Sequence, residues 1–252
     1  MLVWGAADDG TWEGHVIEAD GLGGPVPGPP VPAGGRPHCT AWRDGVALAV
    51  ETADGSALAH YDVDSRTWSG LPAPGVGGRL MALLSLGAGP GAPLAVLSET
   101  SLARLSGKGG WQVTDAPRNT FSPLAAATWT GTQVLVWGGS GDEPHRVGWA
   151  WDAGRDRWRQ LPAAPVGGGL EVPPHAWTGR YWVVWGEPDR PAGGPPGGGA
   201  LTAYDAVHNR WLRLPAPPGR GRPLDLGWHA GTLRVVGADG VVALFAPAAD
   251  AP

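Results

Sequence analysis

The chain holds a single cysteine, Cys39, which excludes an intramolecular disulfide and any cysteine-based metal cluster. Lysine is nearly absent too, for 17 of the 18 cationic residues are arginine, scattered singly with no basic run. With a formal net charge of -5, electrostatic support for binding nucleic acid or an anionic membrane is missing. No apolar stretch approaches the length of a membrane span, because glycine, proline or a charge interrupts each one. The start lacks a basic segment followed by a long apolar one, so no secretory signal is visible in this chain, and the compartment stays unassigned.

What the chain does have is turn formers and indoles. Glycine occurs 43 times and proline 27 times, more than a quarter of the 252 residues, a composition that by itself points to low complexity. Fifteen tryptophans point the other way, because a solvated disordered chain has little use for large amphipathic rings. The expectation is a packed core crossed by many tight turns.

Those tryptophans repeat. Trp129 is followed by TGTQVLVWGG, Trp177 by TGRYWVVWGE, Trp228 by HAGTLRVVG and Trp42 by RDGVALAVE. In each case a glycine turn leads to an apolar run whose eighth residue past the anchor is Trp137, Trp185, Val236 or Val50. A second block follows three times. Tyr61-Asp62, Trp151-Asp152 and Tyr204-Asp205 lead to Trp68, Trp158 and Trp211, and three residues later to Leu71-Pro72, Leu161-Pro162 and Leu214-Pro215. A degenerate copy between Trp42 and Trp129 is made of RLMALLSL, PLAVLSE, SLARL and GKGGWQV.

Each copy reads as four strands: an anchor strand, an apolar strand ending at Gly, an aromatic-Asp strand and a Trp-Leu-Pro strand. The breaks DVDSRT, DAGRDR and DAVHNR suit hairpin turns opened by Asp. No segment has the length and periodicity of an amphipathic helix. A unit of about 45 residues with four antiparallel strands has the size of one β-propeller blade. An all-β propeller of about six blades is therefore expected, as one domain over residues 1–252, with blades near 1–34, 35–75, 76–118, 119–166, 167–219 and 220–252.

The first and last blades are expected to be incomplete. MLVWG aligns with VLVWG at 134–138, so the chain opens inside a second strand, and Ala19-Asp20, Val26 and Pro29-Pro30 read as a faded aromatic-Asp, Trp, Leu-Pro series. LDLGWHAG, LRVVG and VVALFAP supply three strands at the other end. A late start codon or a truncation is expected, and a missing upstream segment could have carried a secretion signal.

VLVWGG at 134–139 with Trp151 and Trp158, and WVVWGE at 182–187 with Tyr204 and Trp211, resemble the kelch family of propellers, which carry a di-Gly after the second strand and then a spaced aromatic and Trp. Only Gly138-Gly139 is a full pair; Gly186-Glu187 and Glu51 depart from it. Some propellers of this kind, like galactose oxidase, are copper-radical enzymes needing two tyrosines, one of them bonded to cysteine, and two histidines. Tyr61 and Tyr204 occupy a repeat slot that Trp151 also fills, leaving Tyr181, so this chemistry is not expected here. Trp151-Asp152 is an isolated match to WD-repeat propellers. DVDSRTW at 62–68 lacks most of a sialidase Asp-box. GxSxG, HExxH and P-loop motifs are missing, as is metal-ligand spacing among the seven histidines. No cofactor and no metal are expected.

The gridded tryptophans are assigned to packing between blades. Trp12, Trp149 and Trp182 stand off the grid and are more expected at a loop or ligand than the others, although packing remains the larger expectation. The resemblance places loops between second and third strands, and connections between blades, on one face around the propeller axis. The former bring Trp12, Asp142, His145, Glu187 and Arg190, with Asp8, Asp9, Glu143 and Asp189; the latter bring Arg36, His38, Arg79, Arg118, Glu171, His175 and Arg222. Long loops on a rigid scaffold are where binding residues collect. The function expected is a monomeric, non-enzymatic recognition scaffold for a protein, glycan or small polar ligand. The alternative is a propeller enzyme of isomerase or hydrolase type acting on a carbohydrate or small polar substrate in an axial pocket.

Overall fold

A computed structural model describes residues 2–6, 11–18, 21–32, 36–53, 55–107, 109–117, 124–138, 146–168, 171–187, 199–215, 222–237 and 242–245. The described residues contain no helix. They form six antiparallel sheets in two compact units, Met1–Asn119 and Thr120–Pro252.

In the first unit, β1 (Leu2–Ala6), β2 (Trp12–Glu18) and β3 (Gly21–Val26) make a three-stranded sheet. β4 (Pro37–Trp42), β5 (Gly45–Thr52), β6 (Gly55–Asp62) and β7 (Thr67–Leu71) make a four-stranded one, as do β8 (Leu80–Ser85), β9 (Leu94–Ser98), β10 (Ser101–Leu105) and β11 (Trp111–Asp115). The second unit has β12 (Ala125–Trp129), β13 (Gln133–Gly138), β14 (Gly148–Asp152) and β15 (Arg157–Gln160), then β16 (His175–Trp177), β17 (Tyr181–Gly186), β18 (Ala200–Asp205) and β19 (Arg210–Arg213). Its last sheet is β20 (Pro223–His229), β21 (Thr232–Gly237) and β22 (Val242–Phe245). Every sheet is a meander, in which each strand pairs with the one before it.

The position of a strand within its sheet decides its composition. The second strands β9, β13 and β17 are buried almost throughout, so they are continuous apolar runs rather than alternating ones. Fourth strands are half exposed and carry the polar residues, as RWRQ in β15 and RWLR in β19 do. The hairpin between third and fourth strands is opened by an aspartate. Asp62, Asp152 and Asp205 accept through Oδ1 from the backbone N–H of Ser65, Arg155 and His208, at 2.7, 2.9 and 3.2 Å. The turn closes on a left-handed residue, Arg66, Asp156 or Asn209, with φ between 49 and 54°.

Tryptophan joins neighbouring sheets within each unit. The Trp68, Trp111 and Trp211 indoles donate to the carbonyls of Pro27, Pro72 and Pro162 in the preceding sheet, at 2.7, 2.9 and 2.9 Å. The Leu-Pro element of one repeat thus supplies the acceptor for the next repeat's tryptophan. Trp4 of β1 lies edge-on to Trp68 at 5.3 Å and to Tyr61 at 5.5 Å, while Trp137 of β13 lies 5.7 Å from Trp211, which is 5.3 Å from Tyr204. Trp4 and Trp137 both sit opposite a glycine in the next strand, Gly14 and Gly148. A Cβ on Gly14 would overlap the Trp4 ring, and one on Gly148 would lie 2.9 Å from Val136 O and 3.2 Å from Trp137 Cδ1. The alignment of MLVWG with VLVWG is therefore repeated in the packing.

One expectation needs correction. In the first sheet β2, the counterpart of the third strand in the repeat, ends at Ile17-Glu18, which pair with Leu22 and Gly21, and a register shift falls between His15 and Ile17; here the tryptophan's acceptor is Pro27. The acceptor is thus Pro27 rather than Pro29-Pro30, while Ala19-Asp20 lie outside the described residues. Trp182, one of the indoles off the grid, is wholly buried, in keeping with packing as the larger expectation for it, lying 6.0 Å from His175 and 6.5 Å from Trp211.

Candidate functional site

Chemistry-bearing side chains gather in the second unit where the chain enters β16 and β20. Before β16 runs Glu171-Val172-Pro173-Pro174, and prolines there leave carbonyls available while removing backbone donors. The carbonyls of Val172, Pro173 and Pro174 are each met. Arg222 Nη2 donates to Val172 O at 2.8 Å, His175 Nδ1 lies 3.1 Å from Pro173 O, and Trp185 N donates to Pro174 O at 3.0 Å. Arg222 Nη1 also pairs with Glu171 Oε2, so one guanidinium ties the two entry segments together. Glu171 to His175 and Arg222 to Asp225 line an open cleft of about 540 Å3.

His175 is held at both ring nitrogens. Nε2 lies 3.1 Å from Ala127 O on β12, opposite the Pro173 contact. A neutral imidazole donates from one nitrogen only, so it fills one of these contacts at a time, whereas an imidazolium would fill both. Burial is the larger influence and pushes the imidazole below its ordinary value, against the two carbonyls and the charge of Asp225. His175 is thus a neutral strut among three first strands.

The first unit has a looser group. His38 lies within β4, its Nε2 buried with no hydrogen-bond partner among the described residues. Burial lowers its ordinary pKa, the Arg36 charge lowers it further, and Glu51 opposes both. Glu51 Oε1 accepts from Leu80 N at 2.7 Å, while Arg79 N–H donates to Glu99 Oε2 at 3.0 Å.

The residues expected from sequence are distributed unevenly. Glu171, His175 and Arg222 meet in one cleft, and Arg36 and His38 are neighbours in the other unit. Trp12 begins β2 rather than standing in a loop, and its indole donates to Val31 O at 2.9 Å while packing on a cluster with Val31 and Val50. Glu187 is engaged through its backbone, exchanging hydrogen bonds of 2.8 and 2.9 Å with Gly167. Arg118, Asp142, His145 and Arg190, with Asp8, Asp9, Glu143 and Asp189, lie outside the described residues.

Asp225 was missed. It stands three residues before its anchor Trp228, in a slot that holds Cys39, Ala126 and Pro174 in the other repeats. A charge in a slot otherwise filled by small or apolar residues was the available signal. Among the described residues no three His, Cys, Asp or Glu side chains are grouped to hold a metal ion.

No protein-family profile matches the sequence, and no curated protein does. Solved structures do match, 204 chains among them. One is the crystal structure of TolB from Acinetobacter baumannii, a β-propeller, with a TM-score of 0.56 and 12% sequence identity over 96% of this chain. The fold is β-propeller-like. The likeness extends over 62% of the TolB chain, so this propeller-like chain spans less than two thirds of that one. At this identity the likeness concerns the fold alone.

Proposed function

We propose that the chain is a kelch-like propeller of six blades, incomplete in the first and last, that acts as a non-enzymatic recognition scaffold. The Gly138-Gly139 pair with Trp151 and Trp158 supports the kelch reading. The cleft at the entries to β16 and β20 is the recognition surface, and the commitment of its polar groups is the observation that supports binding over catalysis. Arg222 is engaged by Glu171 and by a backbone carbonyl, and both ring nitrogens of His175 face carbonyls. Among the described residues lining the cleft there is no Ser, Thr, Cys, Lys or Tyr to serve as a nucleophile with a base poised against it.

The test is a thermal-shift screen of glycans and polar metabolites, followed by amide chemical-shift mapping. Ligands that raise the melting temperature and move the amides of Val172, Leu224 and Asp225 support the reading. Ligands that stabilise the protein while leaving those amides unmoved would place recognition elsewhere. A propeller enzyme is the second reading, favoured by the meeting of His175 and Arg222 with two carboxylates in one cleft. Turnover of chromogenic glycosides that is lost in Asp225→Asn would establish it.

A further inference from the structure

We propose that the cleft of the second unit binds an organic cation, an ammonium or guanidinium carried on an aliphatic stem, with Asp225 as its counter-ion. The proposal rests on reading this cleft as the recognition surface and names what it takes.

The lining is poor in hydrogen-bond donors. Pro173, Pro174 and Pro223 have no backbone N–H, and the two terminal nitrogens of Arg222 are turned to Glu171 and Val172 O. Both nitrogens of His175 face carbonyls that are already close. Acceptors are left over. The Asp225 carboxylate makes no hydrogen bond or ion pair with a described residue and stands open to solvent, although its backbone pairs with Val236, and Glu171 commits one carboxylate oxygen of two.

Charge follows the same direction. Glu171 and Arg222 cancel, and burial keeps His175 neutral near neutral pH, which leaves the Asp225 carboxylate as the uncompensated charge among the described residues of the lining. An anion would have to take Arg222 from Glu171 and then lie beside Asp225, whereas a cation needs no rearrangement. The remaining wall is apolar. Leu224 falls where the β20–β21 register shifts and is 68% exposed, and with Val172 and the prolines it offers a surface for methylenes. A cleft of about 540 Å3 accommodates a lysine- or arginine-sized group. Such a group can come from a free amine or from a basic side chain on a peptide.

The experiment titrates isotopically labelled full-length protein with three N-acetyl, N-methylamide amino acids, lysine, norleucine and glutamate, following the amides of Val172, Leu224 and Asp225. Lysine is expected to bind more tightly than norleucine, with glutamate silent. Asp225→Asn is expected to weaken lysine binding by about tenfold or more, as loss of a charge-assisted contact does, while Asp225→Glu keeps it. An unchanged amide spectrum elsewhere establishes that both variants are folded. Comparison of butylammonium with an acetylated Ala-Lys-Ala amide then separates the sources: equal affinity assigns a free amine, tighter peptide binding assigns a peptide. Tighter binding of the glutamate derivative, or lysine binding indifferent to Asp225→Asn, overturns the cation assignment and leaves recognition by the cleft standing. If none of the three probes moves these amides, the cation assignment falls, while the glycan and metabolite screen decides separately whether the cleft is a recognition surface.

Discussion

The indole nitrogen of Trp211 donates to the carbonyl oxygen of Pro162 across 49 residues of chain, at 2.9 Å. The same bond joins Trp68 to Pro27 and Trp111 to Pro72, so the strength of contact between neighbouring sheets depends on a carbonyl that precedes the tryptophan by about one repeat. Trp211→Phe keeps most of the ring and removes the donor. It is expected to lower unfolding free energy by about 1 kcal/mol in urea titrations, against about 3–5 kcal/mol for Trp211→Ala. Pro162→Ala retains the carbonyl and should cost less than Trp211→Phe if the hydrogen bond is what matters.

Asp205 and Asp62 open equivalent hairpins in different surroundings. Asp205 is wholly inaccessible, accepts from the N–H groups of Val207 and His208, and lies 2.7 Å from His208 Nδ1. Asp62 is partly exposed and serves Ser65 through both N–H and Oγ. Asp205→Ala should therefore destabilise by about 2 kcal/mol, and Asp62→Ala by less, because water replaces the lost acceptor only at Asp62. Equal losses in chemical denaturation would remove burial as the deciding factor.

Stability should also fall in mild acid. Burial, above all, depresses the native pKa of His175 and of His38, so between the unfolded value of about 6.5 and the lower native values the unfolded chain binds more protons than the native one. The stabilising contribution is complete above about 6.5 and is lost as pH falls through the native values. Melting temperatures measured from pH 8 to 5 should decline, and His175→Gln should flatten the decline even if it lowers the plateau. An unaltered slope in that variant would remove His175 from the account.

Carboxylates act in a lower window. Burial pushes the Asp205 carboxyl upward, but the hydrogen bonds and charge of His208 and the N–H of Val207 carry it below the ordinary aspartate value. Its contribution is therefore present above the ordinary range near 3.9 and disappears as pH falls through the native value. Acid unfolding below pH 4 should move to higher pH in His208→Ala, whereas the decline above pH 5 should keep its form.

Gly148 leaves space for Trp137. Adding one methyl there places it 2.9 Å from a backbone oxygen and 3.0 Å from Leu161 Cδ1, neither of which can retreat freely. Gly148→Ala should cost about 1–3 kcal/mol, as overpacking does in other cores. Near-wild-type stability would mean that β14 shifts outward, which a change in Trp137 fluorescence would reveal.

How much of this was legible in the sequence depends on the distance over which each feature is decided. An aspartate four residues before a left-handed position makes a hairpin by contacts within the turn, so DVDSRT, DAGRDR and DAVHNR marked their turns correctly. The first sheet shows the limit. There a register shift falls between His15 and Ile17 and the proline acceptor is Pro27, and no residue pattern within that segment recorded the change.

By itself the sequence determined the all-β repeat and the order of strands in each sheet. These follow from burial patterns and turn chemistry that act over a few residues. Only the tertiary structure decided that Trp182 is sealed in the core, that Trp12 serves Val31 O, and that Glu171, His175, Arg222 and Asp225 share a cleft. Those outcomes depend on how separate sheets seat against one another. Segments about 50 residues apart meet through packing and hydrogen bonds between repeats, and no local pattern encodes which side chains then face each other.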